Sequence, residues 1–209
     1  MDLTAPLSSL IPTLDAAVLE VLAQAQRPLG VSQIHRLTRR GARSGVHRVL
    51  SRLITHGLVE AHPTNVGSVY ALNREHLLAP AVLAAAQARV DLLARLTEAC
   101  VALEPAVRAA ALFGATARGD SGPESPIELF LVVGDDHLVS EAWDRQLQRL
   151  DDQVRSWTGN RLERLVLTQQ HLQQLVDARE PIVDAWERDA IILVGKRTFE
   201  LPSPRGPGA

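Results

Sequence analysis

The feature that most constrains this chain is the punctuation of its first third. Apolar periodicity starts and stops repeatedly between Thr13 and Leu72, and each stop has a local chemical reason. Thr13 is placed to cap a helix over Leu14 to about Ala25, with Asp15 in its first turn, where the helix dipole favours a carboxylate. Leu14, Val18, Leu19 and Leu22 recur at helical spacing and form one apolar face. Arg27-Pro28-Leu29-Gly30 ends that helix. Ser32 then stands in a capping position before a short helix, Gln33–Thr38, whose inner face is expected to be Ile34 and Leu37. Arg39-Arg40-Gly41-Ala42 makes a tight turn. A third helix follows over Ser44–His56, burying Val46, Val49, Leu50, Leu53 and Ile54. Gly57 closes it, as a helix-ending glycine does. Leu58–His62 and Ser68–Leu72 read as two strands joined by the turn Thr64-Asn65-Val66-Gly67. Residues 1–12 are expected to form a loosely ordered arm.

Charge is distributed unevenly over these elements. Seven arginines lie between Val21 and Val59, at 27, 36, 39, 40, 43, 48 and 52, with no Asp or Glu among them. Residues 1–59 carry seven basic and three acidic side chains, so the remainder must be −6 to give the chain its net −2. An ordinary solvated surface mixes signs. An acid-free arginine face suits phosphates and the O6/N7 edge of guanine.

Helix, helix, turn, helix and β-hairpin, closed by Leu53-Ile54-Thr55-His56-Gly57-Leu58-Val59, resembles the winged helix-turn-helix family over residues 13–73. The resemblance implies that the third helix enters the major groove with its first residues near base edges. On that reading Arg43, Ser44, Gly45, His47 and Arg48 are nearest the bases. Arg39, Arg40 and Arg52 hold phosphates, with Arg36 a weaker candidate. The wing tip carries no Lys or Arg. The histidines show no metal-site spacing.

Residues 74–104 read as a connecting and dimerising helix with the stripe Leu78, Val82, Ala86, Val90, Leu93, Leu96, Cys100 and Leu103. Pro80 is tolerated only in a first turn, so the helix is expected to start near Leu78. Residues 105–200 form a second domain. Strands are expected over Val107–Phe113, Ile127–Val133 and Leu162–Thr168. Helices are expected over Leu138–Trp157, with Val139 on its apolar face, and over Gln169–Ala178 and Pro181–Asp189. Gly134-Asp135-Asp136 is a turn, and Ile191–Val194 is a last apolar run. Trp143, Trp157 and Trp186 sit at core spacings. The proline- and glycine-containing tail 201–209 is expected to be disordered.

Within the second domain, a strand breaks at Gly114 and opens a helix start, a ready position for backbone amides to hold an anion. Phe113-Gly114-Ala115-Thr116-Ala117-Arg118-Gly119, followed by Ser125-Pro126-Ile127-Glu128, resembles the nucleotidyltransferase fold of the polymerase-beta superfamily. That family pairs a Gly-Ser turn with two metal-binding aspartates on the next strand. Here Ala115 replaces the serine, Pro126 the first aspartate and Glu128 the second. Residues two apart on a strand share a face, which is why two-metal chemistry needs carboxylates at both positions. Glu163 is a candidate third carboxylate. The expectation is an inactive scaffold without a cofactor, with Gly114, Ala115, Thr116, Arg118 and Glu128 as a candidate nucleotide or anion site. Mg²⁺ belongs only to the enzyme alternative.

The single cysteine, Cys100, excludes an internal disulfide and a cysteine-rich zinc site. No apolar run approaches the ~18 residues of a membrane span, and the first residues lack the pattern of a signal peptide. The fold expected is α+β: a winged helix-turn-helix, a connecting helix, and a nucleotidyltransferase-like α/β domain with a small mixed sheet. The function expected is a cytoplasmic, homodimeric transcriptional regulator on double-stranded DNA, with a nucleotide or anionic small molecule as candidate effector. Two alternatives stand beside it: a nucleotidyltransferase acting on protein or RNA, and an antitoxin-like interaction module.

Overall fold

The computed structural model describes residues 1–65, 67–135 and 140–195. Its contacts form two compact units, Asp2–Val90 and another that begins at Asp91.

The first unit contains α1 (Leu14–Gln24), β1 (Leu29–Gly30), α2 (Val31–Thr38), α3 (Arg43–Thr55), β2 (Val59–Thr64) and β3 (Gly67–Leu72). Its sheet is antiparallel throughout, in the order β1-β3-β2. Val59 pairs with Leu72 and Thr64 with Gly67, which leaves a two-residue tip on the hairpin. The Leu29-Gly30 segment does more than end a helix, because it pairs with Tyr70 and Val69 of β3. Val18, Leu19 and Leu22 of α1 share one core with Ile34, Val46, Val49, Leu50, Leu53, Leu58, Val59, Tyr70 and Leu72. Full burial of each large aliphatic side chain contributes roughly 1.5–3 kcal/mol.

Four local expectations are corrected here. Leu37 is 52% exposed and Ile54 36% exposed. In α2 the inward position after Ile34 is taken by Thr38, one helical turn on at i+4, and this rotates Leu37 outward. Ile54 falls at the rim of the face made by Val46, Val49, Leu50 and Leu53. Gly30, not Ser32, caps α2: its amide donates to Oε1 of Gln33 at 3.0 Å. Finally, the first residues are not a loose arm. Pro6–Ser9 form a 3-10 turn with Leu7 buried in the core. The Leu7 amide donates to Oε2 of Glu20 at 3.2 Å, and the Asp2 carboxylate accepts from the amides of Thr4 and Ala5.

Helix α4 (Ala79–Val101) begins in the first unit and ends in the second. Its buried positions include Val82, Leu92, Leu96 and Cys100, whereas Leu78 and Val90 are exposed. The expected stripe therefore shifts at its middle, where Leu92 rather than Leu93 is buried. Leu92, Leu96 and Cys100 follow one another at i+4 and so line one face.

The second unit continues with β4 (Ala109–Phe113), α5 (Gly114–Arg118), β5 (Ile127–Val133), α6 (Glu141–Thr158), β6 (Leu162–Thr168), α7 (Gln169–Asp177), α8 (Pro181–Asp189) and β7 (Ile191–Val194). The sheet order is β6-β5-β4-β7. β5 and β6 are parallel and connected through α6, while both neighbours of β4 other than α5, namely β5 and β7, run antiparallel to it. Phe130 and Val132 of β5 pack with Leu172 of α7 and Val183 and Trp186 of α8. The alternate residues Ile127, Leu129, Leu131 and Val133 are buried as well, so β5 is covered on both faces. Helix α6 is capped by Ser140, whose hydroxyl accepts from the Trp143 amide at 3.2 Å. It turns Trp143, Leu147, Leu150 and Val154 inward. The expectations for Val66, Asp136, Leu138, Val139 and the tail lie outside the described residues.

Candidate nucleic-acid interface

The outward face of α3 follows from its inward one. With Val46, Val49, Leu50 and Leu53 buried, helical geometry turns Arg43, Ser44, His47, Arg48, Ser51, Arg52 and Thr55 to solvent, and all of these are exposed. The turn before it is held in shape by residues of the same unit. Arg39 adopts a left-handed conformation (φ 51°) at the end of α2, and Gly41 follows at φ 69°. Nε2 of His35 lies 3.1 Å from the Gly41 carbonyl oxygen. Beneath the turn packs Leu14: a Cβ on either Gly41 or Gly45 would meet its Cδ2 at 3.1 Å. Gly45 thus faces α1, and its expected place among the base-facing residues is corrected. It allows α1 to approach the start of α3.

The acid-free stretch acquires two acids through the fold. Arg52 donates a hydrogen bond to the Asp15 carboxylate, which joins α3 to α1. Burial pushes the Asp15 carboxyl upward, but hydrogen bonds from Arg52 and Thr13, with the guanidinium charge, outweigh it and hold it below its ordinary value. Arg52 is consequently a structural tie first, which corrects its assignment as a phosphate-holding group. Arg40 lies 3.7 Å from Oδ2 of Asp2 and stays 58% exposed at its side chain. Arg39, Arg43 and Arg48 have no ion-pair partner among the described residues. The hairpin offers little charge: Glu60 lies 3.4 Å from Nε2 of His62, and the Thr64 hydroxyl donates to the Gly67 carbonyl.

At the second candidate site the expected residues do meet, but around an internal group. Gly114 has φ 67°, and the turn brings the Ala115 amide to Oε2 of Glu128 at 3.2 Å. A Cβ on Gly114 would lie 1.5 Å from that oxygen. The carboxylate at this helix start is therefore the chain's own. Thr116 is 1% exposed, with its hydroxyl 3.4 Å from the Pro126 carbonyl. Arg118 pairs with Asp120 at 3.2 Å and approaches Asp189 at 3.9 Å. Glu163 is the register partner of Glu128 across the parallel pair, but its carboxylate accepts from Arg161 at 2.9 Å. Of the three tryptophans, Trp143 and Trp186 are buried, whereas Trp157 is half-buried beneath Arg95. Burial pushes the Cys100 thiol up to about 12.

Three helices with a hairpin, and a basic outward row on the third, define a helix-turn-helix domain of the winged type. Residues 16–63 match the family model of the IclR helix-turn-helix domain, so the described interface lies on an IclR-type DNA-binding element. Comparison with curated proteins and with solved structures returned no match. No helix among the described residues is long and apolar enough to cross a membrane.

Proposed function

We propose that this protein is a cytoplasmic transcriptional regulator that binds double-stranded DNA as a homodimer. The observation that carries the reading is the row Arg43, Ser44, His47 and Arg48 on one exposed face of α3, next to Arg39, with the arginines unpaired among the described residues. The helix-turn-helix match over residues 16–63 supports it. Arg43, Ser44, His47 and Arg48 read bases, and Arg39 and Arg40 hold phosphates. One such domain with an uncharged tip covers limited DNA, and a two-fold site read by two copies supplies the missing area. The unit that begins at Asp91 serves as the dimerising or ligand-sensing part. Its resemblance to nucleotidyltransferases is of a scaffold without the chemistry, a reading supported by Pro126 and by the engagement of Glu128 with the Ala115 amide.

The test is fluorescence anisotropy of the full chain with a duplex from its own promoter, over a series of salt concentrations. Three or four phosphate contacts predict a log–log slope of about −3, from roughly −0.9 per contact. Absence of binding, or binding that does not weaken with salt, refutes the proposal.

A further inference from the structure

A second concave site lies within the unit that begins at Asp91, between the end of α4 and one face of α6. Its volume is about 440 Å³, within the range of ~300–1,000 Å³ typical of small-molecule pockets. Leu103 and Leu150 supply buried apolar surface. Trp157 supplies a half-buried aromatic wall. Two cations, Arg95 and Arg149, line the same space with one carboxylate, Glu98. Neither arginine has an ion-pair partner among the described residues. The Arg95 guanidinium stands 5.6 Å from the centre of the Trp157 ring. Stacking of this kind holds a guanidinium in place and leaves its in-plane N–H groups available to an oxyanion. The α4 end of the groove is fixed by a reciprocal clamp: the Glu104 amide donates to Oε1 of Gln146 at 3.0 Å, and Nε2 of Gln146 donates to the Glu104 carbonyl at 2.6 Å.

We propose that this groove is a binding site for a small organic anion with a flat apolar body. The oxyanion head sits between Arg95 and Arg149. The body lies against Trp157 and the leucines. An isolated phosphate would leave the apolar surface uncovered, and a neutral hydrocarbon would leave two cations without a counter-charge. The site is separate from the Gly114 turn, and it does not depend on the DNA-binding reading.

The test uses the full chain without DNA and two fluorescent probes of similar shape: 1-anilinonaphthalene-8-sulfonate, which is anionic, and N-phenyl-1-naphthylamine, which is neutral. The wild-type protein is expected to bind the anionic probe more tightly. Arg95→Gln and Arg149→Gln should each weaken that binding by at least about fivefold, the scale of one charge-assisted hydrogen bond, and leave the neutral probe unchanged. Arg145→Gln, on an exposed arginine of α6 paired with Glu141, should change neither. Thermal melts of each variant check that the fold is retained. The proposal is overturned if the two probes bind equally, if the double variant Arg95→Gln/Arg149→Gln keeps its affinity for the anionic probe, or if Arg145→Gln weakens it as much.

Discussion

Replacing Gly114 with alanine tests whether the helix start at β4–α5 is closed by the protein's own carboxylate. The backbone there has φ 67°, where an L side chain costs roughly 1–2 kcal/mol. The new Cβ would also lie 1.5 Å from Oε2 of Glu128 and 2.2 Å from its carboxyl carbon. That group is the end of a flexible side chain, so it can swing aside, at the loss of its bond to the Ala115 amide. A hydrogen bond to a charged group is worth about 1.5–3 kcal/mol, and the half-buried setting of Glu128 favours the lower end. Gly114→Ala should therefore destabilise the chain by roughly 2–4 kcal/mol. In a Glu128→Ala background only the backbone strain remains, and the same substitution should cost about 1–2 kcal/mol. Urea denaturation followed by circular dichroism, run as a double-mutant cycle, measures the difference. Equal costs in the two backgrounds would refute the claim that Glu128 fills the turn.

On the arginine face, Arg43→Gln and Arg48→Gln should reduce preference for the cognate duplex over random DNA, while Arg39→Gln should weaken both alike and lower the salt slope by about one. Anisotropy with the two duplexes separates the cases, and equal loss in every variant counts against the division of roles. Arg52→Gln should lower stability by up to about 1 kcal/mol through the exposed Asp15 pair and change DNA affinity less than Arg48→Gln. The Asp15 carboxyl is held below its ordinary 3.8, so its contribution is present above that pH and is lost as pH falls through the folded-state value. Asp15→Asn should remove that acid-side loss in urea midpoints measured from pH 5 downward. Burial raises the Glu20 carboxyl above its ordinary 4.5, against hydrogen bonds from the Leu7 amide and Gln24. The sign is opposite: its contribution is greatest below 4.5 and is lost as pH rises through the folded value. Glu20→Gln should accordingly raise the melting temperature at pH 7. The buried Cys100 thiol, pushed up to about 12, should resist a thiol-specific reagent at pH 8 until the protein is unfolded.

Much of the architecture could be read from local pattern. Gly57 and the hairpin after it, the helical spacing of Val46, Val49, Leu50 and Leu53, and the strand–turn–helix signature at Phe113–Arg118 all lie within a few residues of what they determine. The same holds for the absence of acids around the arginines, which marked the interface. Where pattern misled, the deciding contact was distant in sequence. Arg52 was legible as a cation, but its partner Asp15 stands 37 residues away. Glu128 was legible as a departure from a metal-binding motif, but only the register of β4 against β5 brings its carboxylate to the Ala115 amide. Leu7 was invisible as a core residue because a single apolar side chain in a four-residue turn carries no period.

By itself, then, the amino-acid order determined the succession of elements, the helix-turn-helix with its basic third helix, and the loss of the paired aspartates. These depend on periodicity, turn residues and charge, all written along the chain. Tertiary structure alone decided which arginines remain available and what occupies the Gly114 turn. It also decided which face of α2 is buried, and that Arg95, Arg149 and Trp157 line one groove. Each of these is a meeting of side chains whose separation along the chain says nothing of their distance in space.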